Sequence, residues 1–175
     1  MAQQKQARDH AAKLVQIKDM KQVTIYTDGS CLNNPGAGGY GAVLLFAPHR
    51  REISGGFRMT TNNRMEMMAV IAALEALREP CNITLYSDSQ YVVNAMTRGW
   101  ARRWQDHGWM RNKKEKAVNP DLWERLLKAA APHEVEFRWL RGHSGVAENE
   151  RCDHLAFTAA SRSGLPEDAG YQRNQ

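Results

Sequence analysis

Two stretches of the chain nearly repeat each other, and that repeat constrains the fold more than any other feature. Val23-Thr24-Ile25-Tyr26-Thr27-Asp28-Gly29-Ser30 and Ile83-Thr84-Leu85-Tyr86-Ser87-Asp88-Ser89-Gln90 are each a β-branched and aromatic run closed by a hydroxyl residue, an aspartate and small or polar residues. Such runs fit a pleated, half-buried surface, and the polar stop marks where each strand ends. Side chains alternate along a strand, so Asp28 shares a face with Thr24 and Tyr26, and Asp88 with Thr84 and Tyr86. Side by side and parallel, the two strands bring both carboxylates to one sheet edge, where open α/β sheets take ligands. A single Asp after a strand is equally a turn former or helix N-cap; the duplication favours a shared site.

The remaining elements follow in order. The first strand runs from Gln22 to Ser30, a turn covers 33–39, and a second strand lies near Tyr40 to Phe46. After a turn at Pro48-His49, a third strand spans Glu52 to Met59, and short connections make the three an antiparallel meander. Met67, Val70, Ile71 and Leu74 give a helix from Asn63 to Arg78 one apolar face. The second Asp-bearing strand is followed by a helix from Ser89 to Met96, and then by a basic segment, 98–116. Asn119 as N-cap and Pro120 at the first position open the next helix. A half-buried strand follows at 134–139, with Val135, Phe137 and Trp139 alternating with charged residues; then come a loop at 142–147 and a helix from Glu148 to Ser161. Three strands followed by strand–helix crossovers predict an α/β fold. It has a mixed five-stranded sheet, three strands antiparallel and then two parallel, with helices on both faces. Residues 1–20 read as a disordered or weakly helical extension, 21–163 as one domain, and 164–175 as a polar, mobile tail.

Charge is concentrated. The formal charge is +5, and the 98–116 segment alone holds seven Lys/Arg and two acids, which leaves the rest of the chain neutral. A neutral body with one basic segment points to a polyanion. Three scattered cysteines, Cys31, Cys81 and Cys152, form neither a disulfide framework nor a zinc motif, and reduced thiols fit a cytoplasmic protein. No leading apolar run suggests a signal peptide, and no stretch has transmembrane length.

Two more acids join Asp28 and Asp88. Glu66 lies on a helical stripe with Val70, Ala73 and Leu77, although Asn63 with Glu66 also fits a capping box. Asp153 borders the face made by Cys152, Leu155, Ala156 and Ala159, although an acid early in a helix also complements its dipole. Four converging carboxylates suit hard divalent cations such as Mg²⁺, and two such ions can drive phosphodiester hydrolysis. In the basic segment Arg98, Arg102, Arg103, Arg111, Lys113, Lys114 and Lys116 interleave with Trp100, Trp104 and Trp109, a nucleic-acid-binding composition. Trp100 and Trp104, at helical spacing, also suit a core. The Gly36–Gly41 run leads into a strand and lacks a following helix, which excludes a dinucleotide or phosphate loop. His143 and Ser144 lack a nucleophile elbow, and His143 in a Gly-flanked loop better fits a mobile proton carrier.

The chain resembles bacterial type 1 ribonuclease H. The matching blocks are Tyr26–Cys31, Asn34–Gly36, Gly38–Ala42, Thr60–Glu66, Ser87–Val92, Asp121–Trp123, and Gly142-His143 with Glu148–Asp153. The resemblance implies endonucleolytic cleavage of the RNA strand of an RNA–DNA hybrid, leaving 5′-phosphate and 3′-hydroxyl ends; nothing in the exposed pattern demands oligomerisation, and a monomer is expected. It implies two Mg²⁺ ions, replaceable by Mn²⁺, on Asp28, Glu66, Asp88 and Asp153, with His143 handling protons. It also implies substrate contacts by Cys31, Asn34, Thr61, Asn62, Asn63 and Gln90. Trp100, Arg102, Arg103, Trp104 and Trp109 would belong to a basic protrusion that grips the DNA strand. The chain departs from the pattern at Gln105, Asp106 and His107, where relatives tend to carry cations. Two alternatives use the same fold: a hybrid-binding module that does not cut, and another nuclease or strand-transfer enzyme.

Overall fold

The computed structural model describes residues 5–6 and 19–173. Most of the expected N-terminal extension therefore lies outside the described residues. The elements are β1 (Lys21–Cys31), β2 (Gly36–Phe46), β3 (His49–Thr60), α1 (Asn62–Glu75), β4 (Cys81–Ser87), α2 (Gln90–Thr97), α3 (Trp100–Asp106), α4 (Pro120–Ala130), β5 (Glu134–Trp139), α5 (Ala147–Ala160) and α6 (Ala169–Arg173).

The sheet has the order β3-β2-β1-β4-β5. β1 pairs antiparallel with β2, β2 pairs antiparallel with β3, and β4 lies parallel between β1 and β5. The twin stretches pair residue for residue: Val23 opposes Ile83, Tyr26 opposes Tyr86, and Thr27 opposes Ser87. The two tyrosine rings stack with centroids 4.9 Å apart. α1 packs on one face of β1 and β2, and α5 covers β1, β2 and β3 from the other. The expected sheet and its helices on both faces are observed.

Burying Ile25, Leu44, Met65, Met67, Ile71, Leu74, Ile83 and Leu85 joins α1 to the sheet. At about 25 cal/mol per Å² of apolar surface, this layer is the main favourable term. Trp123 of α4 is fully buried and donates its indole N–H to the Tyr91 hydroxyl at 3.1 Å. Trp104 meets it edge-on at 5.8 Å, and both Trp100 and Trp104 pack against the core while remaining partly exposed.

Several boundaries differ from the sequence reading. α1 starts one residue earlier, and its N-cap is Thr61, whose Oγ1 accepts the Arg64 N–H at 3.3 Å. The Asn63–Glu66 capping box is therefore absent, which leaves Glu66 available for a site. α1 ends at Glu75, before Arg78. Asn119 has left-handed backbone (φ 58°), and its side chain accepts from Arg64 at 3.3 Å instead of capping α4; Pro120 does open that helix. Trp139 is 48% exposed, because it closes the edge strand and turns outward.

The largest correction concerns the tail. The segment from 164 to 173 is docked: Arg58 N–H donates to the Pro166 carbonyl at 2.8 Å, and Asp168 is 5% exposed. Asp168 accepts from Arg64 Nε at 2.6 Å and Nη2 at 2.8 Å, and from Thr60 Oγ1 at 2.7 Å. Arg64 is itself buried and also donates to both Asp121 oxygens, at 2.9 and 2.7 Å. Removing one partner of such a group strands the opposite charge in a low-dielectric interior. Asp168→Ala should therefore lower unfolding stability by about 3 kcal/mol, measured by urea denaturation; an unchanged midpoint would show that the docked tail carries no load.

Candidate active site

The parallel register of β1 and β4 ends at Thr27 opposite Ser87, and Asp28 and Asp88 follow directly, so both carboxylates reach the C-terminal edge of this strand pair together. The third acid depends on a glycine. A Cβ at Gly29 would lie 2.3 Å from the Glu66 nitrogen, so only glycine lets the α1 backbone rest this close to β1. That contact brings Glu66, 5% exposed, beside Asp28, 6% exposed. Asp28, Glu66 and Asp88 each offer an oxygen within 4.8 Å of the others.

Burial and mutual repulsion make three adjacent carboxylates harder to ionise. Asp28 is raised from 3.8 to about 7, by burial first and then by the charges of Asp88 and Asp153, against the Gly29 N–H that donates to it at 2.8 Å. Glu66 is raised well above the ordinary carboxylate range by burial, then by Asp28 and Asp88. Asp88 is also raised, chiefly by burial, and the field of His143 opposes the shift. Glu66 Oε2 is buried without a hydrogen-bond partner among the described residues. A hard divalent cation would supply both the missing charge and the missing partner, so the residues present fit such an ion.

Asp153, on α5, is half-exposed and stands outside the tight three-acid set, although its charge is felt at both Asp28 and Asp88. α5 is held by Cys152, which donates to the Tyr26 carbonyl at 3.2 Å, and by Arg151, which pairs with Glu52 through contacts of 2.9 and 2.8 Å. His143 is exposed with φ 52°, in a loop flanked by Gly142 and Gly145.

Of the expected substrate contacts, Asn34, Thr61 and Asn63 line one groove of about 520 Å³. Asn34 also accepts the Asn62 N–H at 3.2 Å, tying the β1–β2 loop to the start of α1. Cys31 is half-buried and donates to the Asn33 carbonyl at 2.6 Å, while Gln90 is exposed at the start of α2. Trp100, Arg103 and Trp104 line a second groove of about 390 Å³ with Tyr91, Arg111 and Val118. Arg102 faces a separate depression, and Trp109, half-buried, lines neither groove.

The sequence reading missed Trp139, whose indole N–H donates to the Asp88 carbonyl at 2.9 Å. It also missed Arg64. An arginine inside the apolar stretch of α1 was the available signal, because a buried guanidinium demands carboxylate partners.

The family model described as RNase H matches residues 20–161. The chain belongs to the ribonuclease H family. A ribonuclease H of Syntrophus aciditrophicus (strain SB) is 58% identical over 166 residues, covering 94% of this chain and 96% of the relative. One from Desulforamulus reducens is 61% identical over 150 residues, covering 86% and 94%. Among solved structures, LC9-RNase H1, a type 1 RNase H with the type 2 active-site motif, is 37% identical with a TM-score of 0.73, covering 88% of this chain and 80% of that one. The chain is thus a ribonuclease H enzyme whose acidic cluster is a candidate divalent-metal site.

The sign of the Asp28 shift fixes a pH effect on this ribonuclease H. The folded state holds a proton that the unfolded state releases, so the associated stability is full below about pH 4 and is lost as pH rises through about 7. In EDTA the wild type should lose stability between pH 5 and 8. Asp28→Asn should lose less, by about 1–3 kcal/mol at pH 8. Parallel urea-denaturation profiles for the two proteins would contradict this assignment.

Proposed function

We propose that the protein is an endonuclease that hydrolyses the RNA strand of RNA–DNA hybrids, leaving 5′-phosphate and 3′-hydroxyl ends. The observation that carries the reading is the three-acid cluster, with Asp28 and Glu66 buried and a Glu66 oxygen unpartnered among the described residues, in a chain of the ribonuclease H family. Asp28, Glu66 and Asp88 would hold Mg²⁺, with Asp153 completing a two-ion site and Mn²⁺ a possible substitute. When bound, such ions polarise the scissile phosphate and lower the pKa of water.

The chain's own residues do the rest. The nearly dry floor formed by Asp28 and Glu66 fixes ligand oxygens in advance, which spares reorganisation during the reaction. His143, on its exposed loop, moves a proton at the leaving oxygen. Cys31, Asn34, Asn62 and Gln90 contact the minor groove, where a hybrid shows 2′-hydroxyls on one strand only, and Asn63 is a further substrate contact. Thr61 holds a DNA-strand phosphate, and the 98–116 protrusion, with Trp100, Arg102, Arg103, Trp104 and Trp109, grips that strand. The catalytic domain is 21–163, closed by the docked segment that follows it. The protein acts as a cytoplasmic monomer; no helix among the described residues is long and apolar enough to cross a membrane.

Labelled RNA–DNA hybrid, double-stranded RNA and double-stranded DNA, each with Mg²⁺ or EDTA, test the reading. Only the hybrid should be cut, only with the metal, and a single deoxy substitution at the cut site should block cleavage there. Equal cleavage of all three duplexes would refute the proposal. Asp28→Asn and Asp88→Asn should abolish turnover while hybrid binding persists, and His143→Ala should slow turnover by about 10²-fold. Wild-type rates for these variants would overturn the assigned roles.

A further inference from the structure

The docked C-terminal segment does more than close the domain. The 520 Å³ groove runs between the start of α1, the loop before α4 and α6; its polar lining is Asn34, Thr61, Asn63, Lys116, Asn119 and Tyr171, beside an apolar stretch at 117–118 and 120. Amides, a hydroxyl, one cation and a phenol are the groups that proteins use on sugar–phosphate backbones. The two nearest carboxylates, Asp121 and Asp168, turn inward onto Arg64, itself 1% exposed. The Arg64 guanidinium offsets part of their charge beneath the groove, and Lys116 supplies a cation in its wall for an approaching phosphate.

We infer that the segment is part of the nucleic-acid interface, with Tyr171 a substrate-contacting residue. The inference rests on the hybrid-binding reading above and extends it to a residue outside the 21–163 domain. Two observations fix Tyr171 in the wall, and a third leaves its hydroxyl available. Its N–H donates to Asp168 Oδ1 at 3.3 Å. The neighbouring Gly170 lies flat on the ion network: a Cβ there would sit 1.9 Å from Asp121 Oδ2 and 2.6 Å from Arg64 Nη2. None of the hydrogen bonds among the described residues uses the Tyr171 hydroxyl, which leaves it free to donate to a phosphate oxygen.

The role is one of binding, because Tyr171 reaches the substrate's backbone and lies apart from the acid cluster. Equilibrium binding of a short fluorescent RNA–DNA duplex in EDTA tests it with the full chain. Tyr171→Phe, which removes only the hydroxyl, should weaken binding about five-fold. Tyr171→Ala should weaken it at least as much. Gly170→Ala, which leaves every charge in place but forces α6 off the network, should match Tyr171→Ala. In steady-state cleavage KM should rise by the same factor with kcat unchanged, and the melting temperature of Tyr171→Phe should equal that of the wild type. Wild-type affinity in both Tyr171 variants would overturn the inference while leaving the hybrid reading intact. A wild type that does not bind the duplex would refute the hybrid reading itself.

Discussion

Everything in this protein depends on the parallel pairing of β1 with β4. Because Thr27 opposes Ser87, the residue that follows each of them is an aspartate at the same edge of the pair. A one-residue slip would turn one of the two carboxylates to the opposite face of the sheet. The close seating of α1 on Gly29 then adds Glu66, and the three acids are held nearer than their charges favour. Folding therefore forces repulsion into one spot, and the core formed by α1, β1, β2 and β4 supplies the free energy that opposes it. The site is built to be incomplete, and a divalent cation completes it.

A second junction sets the substrate side. Arg64 lies two residues before Glu66 and joins two distant parts of the chain, the start of α4 through Asn119 and Asp121 and the C-terminal segment through Asp168. The acid cluster and the groove lined by Asn34, Thr61 and Asn63 are thus both fixed by the start of one helix, α1: Thr61 caps it, Arg64 anchors it, and Glu66 faces the acids. Movement of that turn would disturb chemistry and binding together. The basic protrusion is more loosely coupled, touching the core through Trp100, Trp104 and Trp109 while Arg102 and Arg103 stay exposed.

The sheet and the placement of Asp28, Asp88 and Glu66 were legible in the sequence because they follow from short-range rules. Strand periodicity, the repeated Asp stop and the apolar stripe of α1 each speak within a few residues. The Arg64–Asp168 pairing spans 104 positions, and nothing local to Asp168 marks it as buried; a polar stretch after Gly164 reads as a tail until its partner is known. The role of Asn119 failed for a similar reason. Its identity suits an N-cap, but the Arg64 guanidinium claims its side-chain oxygen. Trp139 looked like a core position by alternation, yet the end of an edge strand has no layer to cover it.

The central claim is that the acid cluster holds protons which it exchanges for a divalent cation. Calorimetric titration of Mg²⁺ into the protein near pH 7, repeated in buffers of different ionisation enthalpy, measures that exchange directly. The account predicts net release of about one proton per protein on binding, reduced in Asp28→Asn, because a ligand carboxylate must ionise to coordinate. Binding heats that do not depend on the buffer would contradict it.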